Sequence, residues 1–128
     1  MIETSPAQCA RMLFEAMNAR DTAAFLPLLA EDAVFDFPGT PVIRGAERIG
    51  RFLKILFHKY PTLVFEVGRV VADDSRAAVE WTNAGEARDG APYRNAGATF
   101  LEMRGNLIVY LSDTFKDTSL FVRAPRQP

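Results

Sequence analysis

The chain has 128 residues, with 15 Lys and Arg against 16 Asp and Glu, one cysteine, 48% hydrophobic and 11% aromatic residues. That is one domain, here residues 1–128, long enough to bury a core of its own. The lone Cys9 excludes an intrachain disulfide and a cysteine metal cage, and a formal charge of −1 leaves no electrostatic footprint for nucleic acid or anionic lipid.

The N-terminus, Met1-Ile2-Glu3-Thr4-Ser5-Pro6, lacks the basic lead and apolar run of a signal peptide. No apolar stretch approaches the ~20 residues of a membrane span. A soluble, cytoplasmic protein is the expectation. Ser5-Pro6 starts a first helix, Ser as N-cap and Pro at the first helical position, and Cys9, Met12, Leu13, Ala16 and Met17 carry its apolar face to about Arg20. Asp21 caps a shorter second helix bearing Phe25, Leu28 and Leu29, which Pro27 bends.

Asp32-Ala33-Val34-Phe35-Asp36-Phe37 alternates as a short strand up to Pro38-Gly39, and a turn-rich loop follows to Gly45. The third helix has the cleanest period in the chain, Ile49, Phe52, Leu53, Leu56, Phe57 and Tyr60, until Pro61 stops it. From Thr62 the texture turns to β-branched and aromatic residues, with short turns at 73–75, 88–92 and 104–106. Turns this short join antiparallel neighbours, so four long strands form a meander and the three helices cover one face of it. The fold class is α+β: three N-terminal helices on a curved, mainly antiparallel sheet. Residues 5–121 form the ordered core, and 122–128 are a C-terminal tail.

Strand side chains alternate between faces, so parity separates core from solvent. Around 75–88 the even positions hold Arg76, Glu80, Glu86 and Arg88, while Ala77, Val79, Trp81 and Asn83 are odd. The next strand has Tyr93, Asn95, Gly97, Thr99, Leu101 and Met103 inward, and the last has Leu107, Val109, Leu111, Asp113 and Phe115. On this apolar surface Asn83, Tyr93, Asn95 and above all Asp113 stand out. A buried carboxylate is costly, and desolvation raises its pKa toward the range useful for proton transfer near neutral pH.

Asp113 is therefore the candidate proton carrier, with Asn83 and Tyr93 as hydrogen-bonding partners for a carbonyl or enolate oxygen. Trp81, Asn95, Phe35, Phe37, Phe52, Leu111 and Phe115 are the candidate substrate-binding walls. The bland alternative gives Asp113 a purely structural bond. His58, the sole histidine, is expected at a helix end, and no clustered ligands point to a metal. Dinucleotide, Walker, zinc-protease and nucleophile-elbow motifs are absent, so no cofactor is expected.

The element order, together with Ala30-Glu31-Asp32-Ala33-Val34-Phe35-Asp36-Phe37-Pro38-Gly39, Val42-Ile43-Arg44-Gly45 and the run from Gly105 to Phe115, resembles the SnoaL-like branch of the nuclear transport factor two-like superfamily. The likeness covers about residues 5 to 121. It implies a cone-shaped α+β barrel around an apolar pocket, in a group that includes ketosteroid isomerases, polyketide cyclases, limonene epoxide hydrolases and proteins that only bind. In the cyclases and epoxide hydrolases an Asp on the last strand, in the setting of Asp113, moves protons. The epoxide hydrolases carry Arg and Asp where Trp81 and Asn83 stand, and Tyr and Asn at Phe35 and Phe37, so their relay is altered here. The ketosteroid isomerases carry a base Asp at Phe37 and a Tyr near Leu13, both missing.

The reading is a cyclase or isomerase acting by acid–base chemistry on a small hydrophobic carbonyl or polyketide-like compound. A non-catalytic pocket, or an epoxide-hydrolase-like enzyme with an altered relay, is the alternative. A pocket too small for a ligand, or fully filled by side chains, would instead favour an association module. The outward sheet face, with Ile108, Tyr110, Thr82 and Ala84, is the expected homodimer surface.

Overall fold

A computed structural model describes residues 3–117; the tail expected at 122–128 lies outside them, as does the end of the expected core. Helix α1 (Pro6–Ala19) starts with a capping box, Ser5 Oγ accepting from the Gln8 amide while Gln8 Oε1 accepts from that of Ser5. It ends at Arg20, in the left-handed conformation at φ 58°. Its buried face comprises Cys9, Ala10, Leu13, Phe14 and Ala16, whereas Met12 is 43% exposed and does not belong to it. Asp21 caps α2 (Thr22–Phe25) by accepting from the Ala24 amide, and Pro27 falls in a 3-10 turn over Leu26–Leu28 that follows directly.

Strand β1 (Leu29–Asp36) then buries Ala33 and Phe35, and Phe37 follows on the same side. The expected loop contains a two-residue strand, β2 (Ile43–Arg44), paired antiparallel with β1. Helix α3 (Ala46–Lys59) presents Ile49 and Leu53 to the core, and Tyr60 and Pro61 follow its last turn.

The meander is β3 (Val64–Ala72), β4 (Arg76–Glu86), β5 (Pro92–Arg104) and β6 (Leu107–Phe115). The sheet order is β2-β1-β6-β5-β4-β3. All neighbours run antiparallel except β1 and β6, which are parallel and separated in the chain by α3 and four strands. Among the described residues the hydrogen-bonded ladder does not close into a barrel: β2 and β3 are its edges, and the helices pack across the face between them.

Parity holds throughout β4 and β5 and breaks in β6. The β5–β6 register slips by one residue between Glu102 with Tyr110 and Met103 with Ile108, leaving Val109 as an extra residue. Ile108 is therefore fully buried in the core and Leu107 is 40% exposed, the reverse of the strict alternation. The outward face loses Ile108 but keeps Thr82, Ala84 and Tyr110, and a row across the sheet, Val71, Ala78, Phe100 and Ser112, joins them, with Tyr110 beside Phe100 at 6.2 Å between ring centroids.

Candidate active site

The inward face of the sheet and the helices above it enclose a cavity of about 30 Å³. Phe35, Phe37, Leu111 and Phe115 from the strands line it, together with Leu13, Phe25 and Leu53 from the helices. Asp113, Thr99, Asn83 and Tyr93 supply the polar groups. A space of this size holds one or two waters. At this size the resting cavity meets the condition that favours an association module, and a larger ligand must push side chains aside.

Asp113 is opposite Thr99 in the β5–β6 register, and its Oδ1 accepts a 2.7 Å hydrogen bond from the Thr99 hydroxyl. That hydroxyl in turn accepts from Trp81 Nε1 at 2.9 Å. The indole fixes the hydroxyl proton toward the carboxylate, since Trp81 can only donate. Asp113 Oδ2 has no hydrogen-bond partner among the described residues. No cation forms an ion pair with Asp113 among them either. Although the side chain keeps some accessible surface, the dense protein around it governs its titration. Burial pushes its carboxyl from the usual 3.8 up to about 7, against the Thr99 hydrogen bond, which favours the charged form. The hydrogen-bond partner of Asp113 is thus the Thr99 side chain, and neither an arginine nor Asn83.

Thr99→Val is expected to remove the one bond that stabilises the carboxylate. The Asp113 titration should then move up by about one pH unit, as expected for a lost hydrogen bond to a charged group. Carboxyl-carbon NMR measures this; an unchanged midpoint would show that the hydroxyl does not act on Asp113.

Gly97 makes this arrangement sterically possible. It pairs with Trp81 across β4–β5, and a Cβ there would collide with the Thr114 carbonyl oxygen and lie 2.9 Å from the indole ring. Gly97→Ala should cost about 3 kcal/mol of stability in urea unfolding, from backbone movement and displaced Trp81. A loss under about 1 kcal/mol would mean the indole is free to shift.

Asn83 is buried, and its Oδ1 receives no hydrogen bond among the described residues. Leaving such an atom unpaired costs about 1–3 kcal/mol. Tyr93 packs its ring on Tyr60 at 4.7 Å, and its hydroxyl accepts from Asn95 Nδ2 at 3.4 Å. Burial raises the Tyr93 pKa. Asn83 pairs with Asn95, four residues along β5 from Thr99, so this end lies roughly 13 Å along the strand from the Asp113 row. The Asp113 row and the Asn83 and Tyr93 pair are thus two polar ends of one cavity lining.

Three expected wall residues stand behind the cavity. Phe52 packs edge-on against Phe37 at 4.8 Å and Phe35 at 5.9 Å, because the side of α3 it occupies meets the rings and not the space they enclose. Trp81 is covered by Phe65 and Phe115 and acts through Thr99. Asn95 clamps the chain after β6, its Nδ2 donating to the Asp117 carbonyl at 2.9 Å and its Oδ1 accepting from the Asp117 amide at 3.1 Å. Phe35, Phe37, Leu111, Phe115, Asn83, Tyr93 and Asp113 do line the cavity. Thr99 has inward parity, but without the register it reads as an ordinary β-former. His58 sits on the outer side of α3, where its Nδ1 lies 3.2 Å from an Arg88 guanidinium nitrogen.

Comparison with known proteins places this geometry in context. The SnoaL-like domain family matches residues 10–111. A Jannaschia protein provisionally named as a SnoaL-like polyketide cyclase superposes with a TM-score of 0.83 at 17% identity, over 98% of this chain and 96% of that one. A Pseudomonas putida protein, provisionally named as a polyketide cyclase, gives 0.77 at 22% identity over 92% and 96%. A nuclear transport factor two-like protein from Anabaena variabilis gives 0.77 at 23% identity over 86% and 85%. At these identities the structures establish the shared fold. No functionally curated protein matches the sequence.

Proposed function

Since the chain belongs to the SnoaL-like domain family, we propose that it is a cofactor-independent cyclase or isomerase acting on a small hydrophobic, polyketide-like carbonyl compound. The observation that carries this is Asp113: one carboxylate oxygen held by Thr99, the other unpaired, in an apolar cavity with a pKa of about 7. Such a group is near half-ionised at neutral pH and serves as base and then acid. A filled structural core would have no reason to retain a carboxylate oxygen and a buried amide oxygen without partners among the described residues.

In the proposed reaction Asp113 Oδ2 takes a proton from a carbon activated by a carbonyl, and the C–H electron pair moves into the conjugated system as an enolate. Asn83 and Tyr93, at the far end of the cavity, hold a remote oxygen of an extended conjugated substrate. The protonated Asp113 then returns its proton to another carbon, giving an isomer, or to the alkoxide formed when the enolate carbon attacks a second carbonyl, giving a ring. Phe35, Phe37, Leu111 and Phe115 shape the site and exclude water. A cytoplasmic setting and a homodimer through the Val71, Phe100 and Tyr110 face complete the proposal. Val71 is 71% and Phe100 37% exposed in the single chain, and sedimentation of the purified protein tests that contact.

Deuterium uptake tests the chemistry. In D2O the protein should exchange a carbon-bound hydrogen of at least one member of a panel of enones and aromatic polyketide-like ketones, and recovery of every ligand unlabelled and unchanged while bound would assign the pocket to sequestration alone.

A further inference from the structure

Outside the inner cavity lies a second, wider depression of about 390 Å³, between the C-terminal end of α1, the start of α2 and one flank of α3. The two spaces share Met17, Phe25 and Leu53, so these three side chains form the partition between them. Since the inner space is too small for a multi-atom ligand, displacement of this partition makes one continuous site, with the apolar cavity inside and the outer depression as its vestibule.

The vestibule's chemistry is opposite to that of the cavity. Arg20, Lys54 and Arg88 line it, with Asp21 as the sole carboxylate among its lining residues. None of the three cations forms an ion pair within 4 Å among the described residues. Arg20 is occupied with the backbone: its guanidinium donates to the carbonyls of Met17, Pro61 and Leu63 and lies 3.9 Å above the Phe57 ring. Arg88 donates through Nε to the His58 carbonyl at 2.9 Å, which holds the guanidinium at the rim. Lys54 is exposed and makes no hydrogen bond there. Asp21 already spends its Oδ1 on the Ala24 amide.

We infer that the vestibule recognises a carboxylate, so that the substrate is an apolar acid whose chain enters past Met17, Phe25 and Leu53 while its anionic head stays outside between Lys54 and Arg88. The inference rests on the acid–base reading only in naming which substrate that site takes. Uncompensated cations at the mouth of an apolar cavity favour an anionic head through both charge and hydrogen bonds. They also leave the head in water, where an acid avoids the cost of desolvation. Two cations, Arg88 anchored on the His58 carbonyl and Lys54 exposed without a hydrogen bond among the described residues, suit a single negative charge. A phosphate dianion would additionally face Asp21.

Hexanoate and its uncharged isostere hexanamide provide the test, titrated into the full-length protein at low ionic strength and followed by NMR. Hexanoate should bind about five- to tenfold more tightly, the range expected for two partly exposed charge contacts. The preference should shrink in 0.5 M NaCl. It should fall to within twofold in Lys54→Gln and reverse in Lys54→Glu. Lys54 makes no contact the fold needs, and Arg88→Gln supplies an independent second variant. Equal affinity for acid and amide, a preference untouched by both substitutions, or no binding of either ligand overturns the inference. Tenfold tighter binding of hexyl phosphate than hexanoate also overturns it, by reassigning the head. The Asp113 carboxyl signal separates the two readings. If hexanamide moves it without any charge preference, the vestibule inference fails and the acid–base site stands. If hexanoate shows the Lys54-dependent preference and leaves Asp113 unmoved, carboxylate recognition at the vestibule stands, while entry of the chain past the partition and the inner acid–base site fall.

Discussion

Asp113→Asn is expected to lower turnover, or deuterium exchange where no product is known, by about a thousandfold, with ligand affinity changed less than about threefold. General acid–base catalysis by a positioned group contributes about 10²–10⁴, and no second carboxylate lines the cavity to replace it. The amide keeps the shape and its oxygen can still accept from Thr99, so binding and packing persist while the transferable proton is lost. The signature is a fall in kcat with KM or Kd held, as for an interaction needed in the transition state only. Equal loss of binding and turnover would mean that Asp113 positions the ligand; unchanged turnover would remove it from the chemistry altogether.

The same substitution is expected to stabilise the protein at alkaline pH. The folded Asp113 carboxyl has a pKa of about 7 against 3.8 in an unperturbed chain. Below pH 4 both folded and unfolded states hold this proton, so the group contributes nothing. Between pH 4 and 7 the folded state binds more protons than the unfolded one, and stability falls as pH rises. Above pH 7 both states are ionised and the penalty is constant at about 4 kcal/mol. Relative to wild type, Asp113→Asn should therefore gain little at pH 4 and about 4 kcal/mol at pH 8 in urea unfolding. Other carboxylates cancel in that difference. Among them is Asp73, held down to about 2 by Arg76, whose own contribution is lost only on acidification. A difference that is flat from pH 4 to 8 would show that burial does not burden the carboxylate. Such a cost, retained in a small domain, is expected at functional sites more than in structural cores.

The elements most legible in the sequence are those whose signals are local. Ser5-Pro6 and Pro61 mark the start of α1 and the end of α3, and the alternation over Ala77–Asn83 and Tyr93–Met103 sorts core from solvent. Alternation fails at Ile108 because a single extra residue, Val109, reverses parity behind it, and a bulge is a property of two strands together. The β2 strand is too short to carry a pattern, and the parallel β1–β6 pair joins residues 76 to 79 positions apart, so neither has a local cue. Asp113 stood out because a charge on an apolar face is rare. Thr99 did not, since its role arises only from sitting opposite Asp113 with Trp81 behind it. Helical period placed Phe52 on the core side of α3, but which of several core-side rings borders the cavity depends on how they stack.

All of the chemistry proposed for the chain turns on the protonation of one side chain. Carbon-13 labelling of aspartate, with the Asp113 carboxyl resonance assigned by its disappearance in Asp113→Asn, permits direct titration from pH 3 to 9. A midpoint near 7 is predicted, with a further rise when an apolar ligand fills the cavity. A midpoint at or below about 4, the value of a solvated aspartate, would contradict the account and leave only its architecture.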